Sequence, residues 1–403
     1  MQLPILGSEP PAAKINPRPS GWAPFALGFR PFFLAAALAA LVLVAVWLVM
    51  WIGRLPPVAY YGQLTWHSHE MLFGYAVAVI AGFLLTAVRN WTNLPTPDGA
   101  PLAGLTALWL AGRLVPLAYP TLPGILVALV DGLFLPALMA GLAGPLWRGA
   151  NRTNRLFLPL LGAMAVANGL VHLQALGLAQ TGALGTQLML NLVVILVSFI
   201  GGRVMPFFTE KAIAGATPKA SLPLEWAVFG SLIILTLVEP LAPSGWATAL
   251  VAGLAAVAQA LRLLGWYDRR IWQIPILWVL YLGYAWLVVG LALKTLGALG
   301  LFPPTLALHA LTLGGFGLLT LGMMARVALG HTGRAMQLSR WMTLGFGALF
   351  LASLVRVFGP LLPGVPYLAM VHLSGTLWLI GFLAFLWLYA PILTRPRVDG
   401  RPG

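Results

Sequence analysis

Apolar stretches of about 18 to 25 residues, the length that crosses the hydrocarbon of a bilayer, recur along this chain with only short polar breaks between them. In lipid such a run can satisfy its backbone only as a helix or within a closed barrel, and continuous apolarity without strand-like alternation selects the helix. Spans are expected at 32–52, 70–88, 102–119, 123–143, 156–177, 184–201, 223–239, 245–264, 274–295, 306–328, 340–358 and 367–390. The expected fold is all-α: a polytopic membrane bundle of about twelve transmembrane helices, one domain over 31–392, with an N-terminal arm over 1–30 and a C-terminal tail over 393–403. Only 8% of the 403 residues are charged and 60% are hydrophobic, which excludes a soluble chain of this length.

A formal charge of +14 would suggest nucleic acid if it formed a contiguous patch. Here the Lys and Arg sit in short loops between apolar spans, so the expected partner is the lipid bilayer and not nucleic acid. If both termini lie on one side, all 23 basic residues fall on that side except Arg54, Arg113, Lys294 and Arg356. Basic loops stay in the cytoplasm. The expected topology puts both termini in the cytoplasm. Zero cysteines exclude disulfides, thiolate metal sites, Fe–S clusters and covalently attached haem, leaving His, Met and carboxylates as ligands.

Five of the six histidines then fall at one depth near the outer face. His67 and His69 open the second span, His172 closes the fifth, and His309 and His372 lie within two turns of the starts of the tenth and twelfth. Imidazole near hydrocarbon is costly, so its collection at one level reads as a metal or haem site. If the second helix already covers His67 and His69, their side chains diverge by about 200° and address different neighbours; if the segment is extended they share a face. Glu70 is a carboxylate that accepts an imidazole N–H, a ligand, or a helix-start acid favoured by the dipole. His172 follows Asn168 by four residues, on the same helix face, with Gln174 nearby. Gly314, Gly315 and Gly317, after His309, admit a flat macrocycle or another helix. Thr376 lies one turn deeper than His372. His331, about 30 Å away across the hydrocarbon, reads as a loop or capping residue.

Arg113 and Asp131, similarly deep on consecutive antiparallel spans, form the natural ion pair. Arg54 and Arg356 have no evident acid, and haem propionates suit them because Arg grips carboxylates bidentately. Tyr281, Tyr284 and Lys294 are candidates for a proton path, with interfacial anchoring as the commoner role of such aromatics.

Several segments carry a resemblance. Trp66-His67-Ser68-His69-Glu70-Met71-Leu72-Phe73-Gly74-Tyr75, running on to Ala81-Gly82-Phe83 and Asn90-Trp91-Thr92, resembles the signature of the NnrS family, as do Gly28-Phe29-Arg30-Pro31-Phe32-Phe33, Gly202-Arg203-Val204-Met205-Pro206-Phe207-Phe208-Thr209, and His309-Ala310-Leu311-Thr312 through Arg326 to Arg334. The resemblance implies a haem- and copper-containing membrane protein linked to nitric oxide metabolism and resistance to nitrosative stress. One non-covalent b-type haem is expected, drawing on His69, His309 and His372 with Arg54 and Arg356 at its propionates. Copper is expected on the histidines that remain, above all His67 and His172, out of the ligand set His67, His69, His172, His309 and His372.

The expected function is binding and disposal of nitric oxide near the periplasmic face, with an oxidoreductase resembling a nitric oxide reductase as the enzymatic form. The chain carries no flavin motif and no donor module, so turnover would need an external electron donor. A transporter or metal-handling permease and a haem-based sensor without turnover are the competing classes. The topology is directly testable because the chain has no native cysteine. A single cysteine at Pro363 is expected to react with an impermeant maleimide on intact cells, and one at Asn151 only after permeabilisation; the reverse pattern would invert the topology.

Overall fold

The protein is described by a computed structural model over residues 21–401, and these residues form helices, turns and loops without a strand. Eleven helices are long and apolar enough to cross a membrane: α1 (Phe29–Trp51), α2 (Gln63–Thr92), α3 (Gly99–Ala118), α4 (Gly124–Arg148), α5 (Arg152–Ala175), α6 (Gly182–Ala212), α8 (Trp246–Trp266), α9 (Pro275–Ala298), α10 (Pro304–His331), α11 (Arg340–Leu361) and α12 (Tyr367–Thr394). Between α6 and α8, α7 (Leu222–Val238) is a shorter apolar helix of 17 residues, at the lower limit of about 17 to 25 for a tilted or thin crossing. Every expected span therefore falls on a helix. The one displaced boundary that affects chemistry is at α2, which starts seven residues before its expected 70 and carries both His67 and His69 within its first turns.

Short connections make successive helices run in alternate directions. One end of the bundle thus collects the starts of α2, α4, α10 and α12 with the finishes of α3, α5 and α11. Burial separates interior from peripheral helices: 83% of the apolar stretch of α2 and 72% of that of α10 is enclosed, against 28% for α3. The two most enclosed helices are also two that carry histidines.

Both widen into π-helical turns immediately after a histidine, over Glu70–Ala76 in α2 and Ala310–Gly317 in α10. A π turn inserts a residue into the α-helical ladder, rotates the face that follows, and is often found at functional sites. The widened turns are tightly embedded. A Cβ on Gly314 would lie 2.5 Å from the Trp286 ring, one on Gly315 2.5 Å from Leu287, and one on Gly317 2.8 Å from Trp378. The three glycines thus admit neighbouring helices, not a macrocycle. Just below, the Tyr75 hydroxyl meets Thr320 Oγ1 at 2.5 Å, while Thr320 donates to the Phe316 carbonyl, so α2 and α10 are joined side chain to side chain.

At the opposite end, Arg30 donates to the carbonyls of Leu393 and Arg395, at 3.1 and 2.5 Å. The tail folds back, Val398 N–H to the Thr332 carbonyl (3.1 Å) and Arg397 to that of His331 (2.8 Å). His331 ends α10 there, its ring 5.7 Å from that of Phe29.

Tyr75 lies in a fully enclosed nest, edge-on to Phe316, Trp378 and Phe382. Tyr75→Phe keeps this nest and deletes one hydrogen bond, so a loss of about 1 kcal/mol in stability is expected, read as a lowered unfolding midpoint of the detergent-solubilised protein; an unchanged midpoint would show that the bond does not hold α2 to α10.

Candidate metal centre

Asp131, early in α4, is 3% exposed, accepts hydrogen bonds from three side chains on two other helices and lies at ion-pair distance from a fourth on a third helix. Its Oδ1 is paired with Arg113 Nη2 of α3. Its Oδ2 takes Asn168 Nδ2 at 2.9 Å and His172 Nε2 at 2.8 Å, both from α5, and stands 3.2 Å from His69 Nε2 of α2. The expected Arg113–Asp131 pair is present, and it belongs to a larger network. Arg113 Nη1 also donates to Glu70 Oε2 at 3.0 Å, so one guanidinium bridges two buried carboxylates. Two glycines make the approach feasible: a Cβ on Gly74 would sit 3.0 Å from both Arg113 Nη1 and Glu70 Oε2, and one on Gly112 2.7 Å from Asp131 Oδ1.

The histidines are held from behind. His69 Nδ1 is 3.3 Å from Glu70 Oε1, and His172 Nδ1 is 3.0 Å from the Tyr60 hydroxyl. His69 Nε2 also lies within 3.2 Å of the Tyr61 hydroxyl and 3.0 Å of Asn168 Oδ1. One ligand atom each of His69, Asp131 and His172 falls within 4.8 Å of the others, all three buried. When a metal takes Nε2, the Nδ1–H of each imidazole has an acceptor waiting, and such an outer partner fixes ring orientation and raises ligand basicity. Two imidazoles and one carboxylate with no thiolate form a borderline donor set suited to divalent transition metals.

Tyr60 and Tyr61 lie in the loop between α1 and α2, and were not found by sequence reasoning. Burial pushes the Tyr60 hydroxyl up to about 12, with Tyr119 adding to the effect, and burial likewise raises Tyr61 well above the ordinary range. Both therefore remain neutral phenols at physiological pH, hydrogen-bonding partners of the imidazoles and not phenolates. The available signal was a pair of adjacent aromatics ahead of Gly62, whose φ of 72° turns the chain into α2.

His67 points elsewhere. Because α2 is helical here, two residues carry it to the opposite side from His69, and its ring stacks on Trp47 of α1 with 4.2 Å between centroids. His67 and His309 lie within electrostatic range of one another and of the Arg356 guanidinium. His309 Nδ1 donates to the Thr305 carbonyl at 2.8 Å, which leaves Nε2 as the free lone-pair nitrogen. His372 Nε2 is buried and has no hydrogen-bond partner among the described residues. Arg356 donates to the Tyr367 hydroxyl at 2.9 Å and lies 5.4 Å from its ring centre; neither it nor the exposed Arg54 has a carboxylate at ion-pair distance among the described residues.

The five histidines thus occur at one end of the bundle, as expected, but in a different grouping. His69 and His172 come together on Asp131, while His67 turns away to stack on Trp47. The cause is the helical register of α2. Three further expectations resolve. Glu70 is no helix-start acid, since α2 begins at Gln63, and it receives the His69 ring nitrogen. Gln174 accepts from Gly182 N–H at 2.8 Å, tying α5 to α6 outside the cluster. Lys294 pairs with Glu239, whereas Tyr281 bonds to Thr209 and the Trp266 carbonyl, and Tyr284 to Gln259 and Arg262. Among the described residues the three do not form one hydrogen-bonded chain.

Removing Arg113 strands two buried carboxylates. Breaking a buried pair from one side costs about 3 to 5 kcal/mol, so Arg113→Ala is expected to collapse the yield of folded protein and Arg113→Lys to restore part of it. Equal yields for the wild type and Arg113→Ala in fluorescence-detected size exclusion would contradict the network.

The sequence matches a family model described as NnrS protein over residues 23–397. No curated protein matches it.

Proposed function

The chain belongs to the NnrS family, and from that premise we propose that it is a haem- and copper-binding protein of the bacterial inner membrane that binds and disposes of nitric oxide near the periplasmic face, with both termini in the cytoplasm. The observation that carries the metal reading is the convergence of His69 Nε2 and His172 Nε2 on Asp131, with both Nδ1 atoms already supplied with partners. Copper is assigned to this group. Imidazole and carboxylate suit copper in a chain without cysteine, and copper outcompetes other divalent ions for such donors.

The haem is assigned to the other side of α2. Two features of the residues there fit it: His309 keeps Nε2 free while Nδ1 is bonded to a carbonyl, and His372 has a buried ring nitrogen without a partner. His309, with His67 or His372, would hold the iron, and Arg356 and Arg54 would receive the propionates. Bound haem would supply an iron able to take a diatomic ligand. Around it the chain's own residues do three things: Arg356 offers a fixed positive charge, Trp47 holds the plane of the His67 ring, and the Thr305 carbonyl selects the His309 tautomer.

Metal analysis tests the partition. His172→Ala is expected to lose copper by mass spectrometry and keep haem by pyridine haemochrome, His309→Ala to do the reverse, and His331→Ala to keep both. Copper at the wild-type level in His172→Ala, or haem retained in His309→Ala, overturns the assignment. An anaerobic nitric oxide electrode with chemically reduced protein then separates the modes of disposal. Sustained consumption marks an enzyme fed by an external donor, stoichiometric uptake a scavenger or sensor, and no uptake removes nitric oxide from the function.

A further inference from the structure

Beneath the histidine end, between α2, α6 and α10, lies a cavity of ≈ 70 Å³. Its walls include Val79 and Phe83 of α2, Leu196 and Val204 of α6, and Phe316 and Thr320 of α10. Thr320 is its one polar side chain, and that hydroxyl is consumed by the Phe316 carbonyl and Tyr75. A water molecule needs two to four polar partners, so this cavity offers water nothing; apolar cavities stay dry and take up apolar guests such as xenon. Since roughly 10 to 15 Å³ of such space admits one water-sized molecule, the cavity holds a few small gas molecules and is far too small for a macrocycle.

Its position makes the occupant specific. The wall is partly exposed at Phe83, Val204 and Met323, in the final third of three helices long and apolar enough to cross a membrane, so the opening faces the half of the bilayer away from the histidine end. Inward it abuts the π-widened turn of α10, whose Phe316 ring is edge-on to Tyr75 from the π turn of α2. It therefore lies between the bilayer and the two helices that carry His69 and His309. An apolar diatomic concentrates in hydrocarbon; ions and polar metabolites do not.

We infer that this cavity is a binding site for small apolar gases, admitting them from the bilayer toward the histidine end. That the gas is nitric oxide rests on the function proposed above; that the cavity takes a gas does not. The probe is xenon, which needs no cofactor. Crystals of the full chain pressurised with xenon are expected to show an anomalous peak between Val79, Leu196 and Thr320, lost in Leu196→Phe. Leu196→Phe and, at the partly exposed rim, Val204→Trp are expected to slow nitric oxide association with the reduced protein by roughly tenfold, since access and not chemistry sets that rate, with haem absorption and copper content unchanged. A lipid or detergent chain in the cavity, or no xenon there, overturns the inference. So does xenon binding with association rates unchanged in both variants, which would leave a void off the route. If wild-type protein takes up no nitric oxide while xenon still binds, the proposed function fails and the gas site stands.

Discussion

A carboxylate enclosed by apolar helices is tolerable only if its charge is matched and its lone pairs are used, because the cost of burying an unpaired ion exceeds what packing returns. Asp131 meets both conditions by reaching across helices: Arg113 supplies the charge from α3, Asn168 and His172 supply hydrogen bonds from α5, and His69 approaches from α2. The remaining features of the site follow from this demand. Gly112 and Gly74 are small so that Asp131, Glu70 and Arg113 can close on one another. The loop that covers the group presents Tyr60 and Tyr61 because each ring nitrogen beneath needs a neutral partner. Four helices are thereby fixed in register at one end, so a polar cluster that weakens apolar packing locally also specifies how the bundle assembles.

The helices were legible in the sequence because hydrocarbon imposes a length and forbids unsatisfied backbone. Arg113 and Asp131 were legible for the same reason, as opposite charges at similar depth on consecutive spans; that Arg113 also takes Glu70 was not. What could not be read was azimuth. Whether His67 and His69 share a face depends on whether α2 has begun by residue 67, and no N-cap side chain marks Gln63; the start is set by Gly62 and by the burial of the loop. An error of seven residues in one boundary is small for topology and decisive for ligation. The glycines after His309 posed the opposite difficulty. Small residues signal close approach but not by what, and the approaching groups are Trp286, Leu287 and Trp378, far away in sequence.

The π turns mark where local and global requirements meet. In α2 the widening spans Glu70–Ala76, so Glu70 leaves the regular ladder just where it must receive His69 and Arg113, and the Gly74 carbonyl accepts from the indole of Trp109 at 3.0 Å. In α10 it spans Ala310–Gly317; Phe316 within it and Thr320 just past it line the apolar cavity and meet Tyr75. The two helices are thus altered at equivalent depths and are tied to each other below the alteration. A rearrangement near His69 would reach α10 through Tyr75 and Thr320, a contact between two well-enclosed helices and not through a loop.

One helix standing between two groups of ligands also constrains what they can do together. An α-helix with its side chains is about 10 to 12 Å across, and His67 and His69 leave α2 on opposite sides. On the proposed assignment, one diatomic cannot touch both metals at once, so the second metal does not act by sharing the ligand of the first. Any coupling between the two groups of residues would have to run through α2, whose π turn carries Glu70, paired with Arg113, on one side while Arg356 stands near His67 on the other. Each side therefore carries its own fixed charges: two carboxylates against a single guanidinium beside His69 and His172, and an arginine without an acid at ion-pair distance among the described residues near His67 and His309. The first environment keeps one carboxylate charge in excess, which favours a cation, and the second favours an anionic cofactor edge.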